Sequence, residues 1–502
     1  MFDARRFKQE FHSPSEKRIK IKFGTSGHRG VLGSGFSERH AEAIAQAVAR
    51  MHTEKGIKGP ILVGGDTRLM SGETARICAE VLAANGFEVI LADIPLPTPV
   101  FSSEILNGTA IASLNATASH NPPQDEGLKY NPSTGGPADS DITGLIEKYG
   151  NEYLDNPGQI KRIAISEAQS KELVIKKNLI DPYIERLAKV IDFAAIRASG
   201  LRIGIHPLGG TSIPYFEHLQ DQYKLSLLEI VDKKVDPSFD FIPLDHDGQR
   251  RMDPSSPCPM KPLLDLVNKG KYDLVGATDP DADRFGVATK PAGLLSPNHA
   301  LSIVFHYLLN NRPNWPKTLG IGRTIGTTHL LDRIAAAFGR PVDEVNVGFK
   351  YYVSGLLKDK YILAGEESAG LTVYQWTTEK DGIMAVMLMA EIMARTGKDL
   401  GVLYKELTNT YGEPTYRRID VPADEKGKAA IKNFKGTTKL AGEDVTKIRT
   451  TDGVKIYTKD AWVLARPSGT EPIVKLYAES FKGHDHLNKV LEEGSKLFNL
   501  KL

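Results

Sequence analysis

Short apolar runs that end in glycine or small polar residues alternate along this chain with longer stretches of helical period, as buried parallel strands and their covering helices do in α/β domains. Residues 60–63 run into Gly64-Gly65-Asp66 and predict the first clear strand. A helix is expected from Ser71, read as its N-cap, with Ile77, Val81 and Leu82 on one side and an end at Asn85-Gly86. Residues 88–91 predict the next strand. Residues 109–113 predict another, which would deliver a loop containing Ser119 at the carboxyl end of a sheet, where α/β folds place their ligands.

The layout then restarts twice. Residues 201–205 lead into Pro207-Leu208-Gly209-Gly210, and residues 273–277 lead into an aspartate cluster. Residues 318–321 precede Gly322-Arg323-Thr324, and residues 361–364 precede Gly365-Glu366-Glu367-Ser368-Ala369-Gly370. The last part differs: residues 447–450 and 454–457 flank Asp452-Gly453, a hairpin signal, before residues 462–465 reach Arg466. The pattern predicts an α/β fold of three similar α/β domains followed by a smaller C-terminal α+β domain, with boundaries at 1–176, 177–296, 297–412 and 413–502.

Length supports several domains, since 502 residues exceed what one core usually holds. A hydrophobic fraction of 41% with 25% charged residues is ordinary for a globular protein, and no apolar run approaches the ~20 residues that span a bilayer. Met1-Phe2-Asp3-Ala4-Arg5-Arg6 lacks the apolar core of a secretory signal, so a cytoplasmic location is expected, with no membrane partner. Cys78 and Cys258 are the only cysteines and support neither a disulfide framework nor a thiolate metal site. With 64 basic against 62 acidic side chains there is no global field to attract nucleic acid, and small anionic ligands fit better.

The candidate chemistry begins at Thr117-Ala118-Ser119-His120-Asn121-Pro122-Pro123, where a hydroxyl stands beside a histidine on a backbone that two prolines keep from becoming helix. Taken alone, Ser119 is equally a turn serine, and no Gly-x-Ser-x-Gly elbow marks an esterase. Asp279, Asp281 and Asp283 alternate in one short loop before Arg284. Their mutual repulsion calls for a cation or for donors, and Mg²⁺ is the leading reading over a solvated acidic turn. An EF-hand is disfavoured, because its sixth and twelfth positions would be Arg284 and Lys290. A phosphate on Ser119 would complete the ligand set, so the two motifs form one expected site. His120 and Lys129 are alternatives for proton exchange. Arg466, Ser468, Gly469 and Thr470 combine a planar fork, hydroxyls and a glycine that suit an anion, or simply make a turn. Neither a Walker-type loop nor a Gly-x-Gly-x-x-Gly run is present.

Taken in order, Gly24-Thr25-Ser26-Gly27-His28-Arg29-Gly30, the Ser119 segment, the aspartate cluster, Gly365 to Gly370 and Arg466 to Pro472 resemble the signature of the α-D-phosphohexomutase superfamily. Lys129-Tyr130-Asn131-Pro132, Val347-Gly348-Phe349-Lys350 and Lys380-Asp381-Gly382 are most similar to its bacterial phosphoglucomutase branch. The resemblance implies three α/β domains with mixed sheets and a C-terminal α+β domain around a central active-site cleft. It implies Ser119 as the phosphoserine, with Asp279, Asp281, Asp283 and the serine phosphate as Mg²⁺ ligands and Arg284 beside that phosphate. Glu366 and Ser368 become sugar contacts, Arg466, Ser468, Gly469 and Thr470 hold the idle phosphate, and Arg29, His120, Lys129 and Lys350 line the cleft. The implied reaction interconverts glucose 1-phosphate and glucose 6-phosphate, with glucose 1,6-bisphosphate as intermediate and activator. A phosphomannomutase, another phosphohexomutase or a sugar-phosphate phosphatase is the alternative, and the protein is expected as a monomer or homodimer.

Overall fold

The computed structural model describes residues 2–14, 19–24, 27–468 and 472–501, with only the backbone of Lys426. The chain gathers into two compact units. The first comprises residues up to Pro297, with Tyr352–Asp359 and Ser368–Leu400; the second comprises Asn298–Tyr351, Lys360–Glu367 and the chain from Gly401 onward.

In the first unit, Ile61–Gly65 lies between the parallel strands Val89–Ala92 and Ala112–Ala116. Asp125–Asn131 pairs antiparallel with Ala112–Ala116, and His28–Val31 antiparallel with Asp125–Asn131, so the sheet is mixed. Ile61, Val63 and Leu114 enter a core shared with Ile77, Val81 and Leu82 of the helix Ser71–Ala84. Burying each such side chain contributes roughly 1.5–3 kcal/mol. That helix begins one residue earlier than predicted: Met70 occupies the N-cap position, and Ser71 is already helical. The Ser71 hydroxyl instead donates to Asp66 Oδ1 at 2.6 Å, recruited by a buried acid. The strand expected at 109–113 runs three residues further on, at Ala112–Ala116, which shortens the connection to Ser119.

A second mixed sheet in this unit sets Ile203–His206 parallel to Leu228–Ile230 and Leu274–Thr278, with Phe285–Thr289 antiparallel to the latter. The helix Gly382–Thr396 packs on Leu274–Thr278 and Phe285–Thr289. Its N-cap Asp381 accepts from the Met384 N–H at 2.9 Å, and from Tyr183 and Trp376.

In the second unit, Gly320–Thr324 runs parallel to both Val342–Val345 and Tyr361–Glu366. Gly322-Arg323-Thr324 and Gly365-Glu366 therefore belong to strands, not to the loops expected after them. The final part is a five-stranded antiparallel sheet in the order Thr415–Pro422, Ile473–Ser480, Ala461–Pro467, Val454–Tyr457 and Lys447–Arg449. The last two strands form the predicted hairpin around Asp452-Gly453. The helix His484–Leu497 covers this sheet with Leu487, Val490 and Leu491. Among the described residues no helix is long and apolar enough to cross a membrane.

Candidate active site

Strand Ala112–Ala116 ends three residues before Ser119, whose backbone adopts φ 54°, a left-handed conformation that non-glycine residues rarely accept. The surrounding hydrogen bonds hold it there. Ser119 N–H donates to Thr117 Oγ1 at 2.8 Å, and Thr117 Oγ1 donates to Asp66 Oδ2 at 2.6 Å. The Arg68 guanidinium then binds main-chain oxygens around the turn: Ser119 O, Asn121 O, Pro122 O and Asp125 O. Arg68 is itself paired with buried Asp66. Neighbouring Glu126 is fully buried, and burial followed by the Asp66 charge pushes its carboxyl up to about 8.

This frame directs the Ser119 hydroxyl at Asp279 Oδ2, 2.7 Å away, with His120 Nδ1 at 3.3 Å. The aspartate loop is fixed as firmly. Arg284 N–H donates to Asp279 Oδ1 at 2.8 Å, and Gly382 N–H donates to Ala282 O at 2.9 Å. A Cβ on Gly382 would stand 2.2 Å from the Arg284 carbonyl oxygen, so this approach of helix to loop requires glycine. Thr98, at the start of the helix Thr98–Leu106, donates from its N–H to Asp281 O and from Oγ1 to Asp281 Oδ2.

Asp279, Asp281 and Asp283 are buried and each offers an oxygen within 4.8 Å of the others'. Lys129 Nζ lies 2.6 Å from Asp281 Oδ2 and 2.8 Å from Asp283 Oδ2. Burial pulls the Lys129 ammonium down, but these two carboxylates reverse the effect and the net shift is upward. Burial likewise opposes ionisation of Asp281 and Asp283, and Lys129 keeps both below the usual carboxylate range. Asp279 is driven well up by burial and by its two acidic neighbours. Lys129 pairs with Asp281 and Asp283, and Lys380, at 3.5 Å, with Asp283, while Asp279 carries the residual repulsion of the trio. The Oδ1 atoms of Asp281 and Asp283 are also buried without a hydrogen-bond partner, which costs about 1–3 kcal/mol or more per atom. Three hard anionic oxygens with two of them orphaned fit a hard divalent cation.

The other expected residues of the first unit gather here. Arg29, on His28–Val31, has its guanidinium pKa lowered by burial and raised in opposition by Asp281 and Asp283. Burial, then the Arg284 charge, holds His120 well below its ordinary value, so its imidazole is neutral. Arg284 Nη1 stands 3.6 Å from Asp253 Oδ2. Ser368 is half-buried, and the next residue, Ala369, accepts at its carbonyl from Phe285 N–H, directly after Arg284.

Lys350, Glu366, Arg466 and Ser468 belong to the second unit. Glu366 ends its strand and accepts from Gly348 N–H at 3.2 Å, two residues before Lys350 opens the helix Lys350–Leu356. Arg466 Nε donates to Asp452 Oδ1 at 2.7 Å, and Ser468 N–H donates to Ile473 O. Gly469 and Thr470, and with them part of the expected phosphate cradle, lie outside the described residues, as do Thr25 and Ser26.

From the sequence, no site role attaches to Asp66, Arg68, Thr98 or Glu126, nor to Lys380, which is read only within the Lys380-Asp381-Gly382 motif and whose Nζ lies 3.5 Å from Asp283 Oδ2. The Asp66-Thr67-Arg68 run after a strand ending in two glycines was the available signal. Glu126 and Thr98 carried none, since each reads as one ordinary polar residue in its element.

A serine hydroxyl held against one carboxylate of a metal-capable trio, with arginines and a buried lysine around it, is the equipment of a phosphoryl-transfer enzyme. Models of phosphoglucomutase/phosphomannomutase α/β/α domains I, II and III match residues 20–156, 181–293 and 296–411, and that of the C-terminal domain matches 418–496. A phosphoglucomutase of Komagataeibacter xylinus is 42% identical, over 96% of this chain and 91% of that protein. A solved structure assigned as a phosphomannomutase of Thermus thermophilus superposes with a TM-score of 0.79 at 27% identity, over 96% of this chain and 99% of that one. The N-acetylphosphoglucosamine mutase of Aspergillus fumigatus, solved as a variant with glucose 1,6-bisphosphate, shares the fold at a TM-score of 0.55 and 14% identity, over 99% of this chain and 98% of that one. The chain belongs to the phosphoglucomutase/phosphomannomutase family.

Proposed function

We propose that this chain interconverts α-D-glucose 1-phosphate and glucose 6-phosphate through a phosphorylated Ser119 and glucose 1,6-bisphosphate. The observation that carries the reading is the 2.7 Å bond from Ser119 Oγ to Asp279, supported by 42% identity to a protein named for this activity. The substrate's free hydroxyl attacks phosphorus, the bond from phosphorus to Ser119 Oγ breaks, and the bisphosphate forms. The intermediate then presents its other phosphate: Ser119 Oγ attacks that phosphorus, the bond from it to the sugar oxygen breaks, and in each step the attacking hydroxyl's proton ends on the departing oxygen. Asp279, Asp281 and Asp283 would hold Mg²⁺, which when bound neutralises charge on the transferring phosphoryl group. Arg284 and Arg29 add fixed positive charge where that group sits. Neutral His120, 3.3 Å from Ser119 Oγ, is suited to hold the hydroxyl proton, whereas Lys129 is committed as an ammonium to Asp281 and Asp283. Glu366 and Ser368 would contact the sugar, Lys350 would line its approach, and Arg466, Ser468, Gly469 and Thr470 would hold the idle phosphate in either substrate orientation. A cytoplasmic enzyme acting on hexose phosphates, as a monomer or homodimer, is the setting of this proposal.

Purified protein supplied with Mg²⁺, glucose 1-phosphate and a trace of the bisphosphate should form glucose 6-phosphate with little free phosphate. Ser119→Ala should lower kcat at least about 10³-fold and abolish phosphate incorporation, because the covalent step loses its acceptor. Faster turnover of mannose 1-phosphate would reassign the substrate, and dominant phosphate release would make the protein a phosphatase.

A further inference from the structure

In the second unit a hydrogen-bonded path links two groups that the proposed reaction uses separately. Arg466 Nε donates to Asp452 Oδ1 at 2.7 Å. The other oxygen of the same carboxylate, Asp452 Oδ2, accepts the Val347 N–H at 2.8 Å. The next N–H along the chain, that of Gly348, donates to Glu366 Oε1 at 3.2 Å. One carboxylate therefore joins the arginine assigned to the idle phosphate, through a single dipeptide, to the glutamate assigned to the sugar.

The backbone explains the placement and the side chain explains the residue type. Asp452 sits at φ 60°, between the strands Lys447–Arg449 and Val454–Tyr457. Asparagine tolerates that conformation equally well, yet its amide carries one accepting oxygen and one donating nitrogen. Both neighbours of Asp452 are donors, so only a carboxylate satisfies both. Gly453 follows at φ 98°, and a Cβ there would stand 2.4 Å from Ala465 O and 3.1 Å from Arg466 Cα. The turn thus lies directly against the base of Arg466. The facing loop is held from the same hairpin by Arg449, which donates to Glu344 O and to Asn346 Oδ1, both at 2.7 Å. Anchoring a guanidinium at Nε does not consume its Nη1–Nη2 edge, the edge that makes bidentate contacts with phosphate oxygens.

We propose that Asp452 is a positioning residue that couples phosphate recognition by Arg466 to sugar recognition by Glu366. The inference rests on the assignment of those two residues under the proposed function. A sugar that must bind in two orientations needs its phosphate fork and its hydroxyl acceptor at a fixed separation, and the path through Val347 and Gly348 sets it.

The test compares wild type with Asp452→Asn, Arg466→Ala, Glu366→Gln and the double variant Asp452→Asn/Glu366→Gln, using glucose 1-phosphate with saturating Mg²⁺ and bisphosphate. Hydrogen bonds to charged groups correspond to about 10- to 100-fold in binding. Asp452→Asn is therefore expected to raise KM about tenfold, to change kcat less, and to leave the melting temperature within a few degrees. The double variant should lose less than the product of the single losses, because both break one path. Asp452→Gly, which removes both acceptor oxygens and suits the φ of 60°, should repeat the KM effect if the asparagine variant folds poorly. A large KM effect of Arg466→Ala with neither Asp452 variant moving KM by more than about twofold overturns the coupling, as does strict multiplicativity with Glu366→Gln. Arg466→Ala and Glu366→Gln both leaving KM unchanged would instead overturn the assignments beneath it, and the proposal with them.

Discussion

Ser119 stays in a left-handed turn because Arg68 binds four main-chain oxygens around it while its own charge is matched by Asp66. Lysine cannot reproduce that grip, since an ammonium offers three donors from one point and no planar fork. Arg68→Lys should leave kcat lowered by about 10- to 100-fold, with faster hydrogen exchange at the amides of Ser119, His120, Asn121, Gln124 and Asp125. Unchanged exchange there would deny Arg68 its role. That Ser119 and the three aspartates belong together was legible in the sequence, because a hydroxyl beside prolines and carboxylates at alternate positions are dense local signals. Arg68 was not, since its partners are backbone oxygens up to 57 positions away and main-chain acceptors leave no mark on residue identity. Glu126 was hidden differently: in a strand that alternates sides, one acid reads as solvent-facing until the covering helix brings Ser71 against it.

At the level of elements, the aspartate loop depends on the start of the helix Gly382–Thr396, which packs on the strands before and after that loop. Gly382→Ala places a methyl against the Arg284 carbonyl and should cost on the order of 1–3 kcal/mol. Titration calorimetry should show weaker Mg²⁺ binding, by about tenfold or more, because the loop must shift to admit the methyl. Element type was read correctly from apolar runs, but ends were not. Residues 109–111 are no less compatible with a strand than Ala112–Ala116, and pairing with Ile61–Gly65 and Asp125–Asn131 selects the latter. For the same reason Arg323 and Glu366 proved to be strand residues: parallel neighbours extend the ladder beyond the last apolar side chain.

Across the molecule, buried histidines make stability depend on acidity. Burial draws His52, which is 0% exposed, from 6.5 down to about 4, and His206 and His299 shift likewise. Between those values the unfolded chain binds a proton that the folded chain excludes, so stability falls as pH drops from about 6.5 towards 4. For His52 the full loss is on the order of 3 kcal/mol at about 1.4 kcal/mol per pH unit. His52→Gln should flatten, without abolishing, the decline of melting temperature between pH 7 and 4.5. Chelation of divalent ions should lower the melting temperature at neutral pH, since a ligand at about 100 times its Kd contributes about 2.7 kcal/mol. Asp279→Asn should shrink that chelator effect.

Carbonyl oxygens are common to every amino acid, so the grip of Arg68 on them is indifferent to which side chains decorate residues 121–124. Substitutions there that keep the backbone path should therefore leave the turn that presents the Ser119 hydroxyl in place.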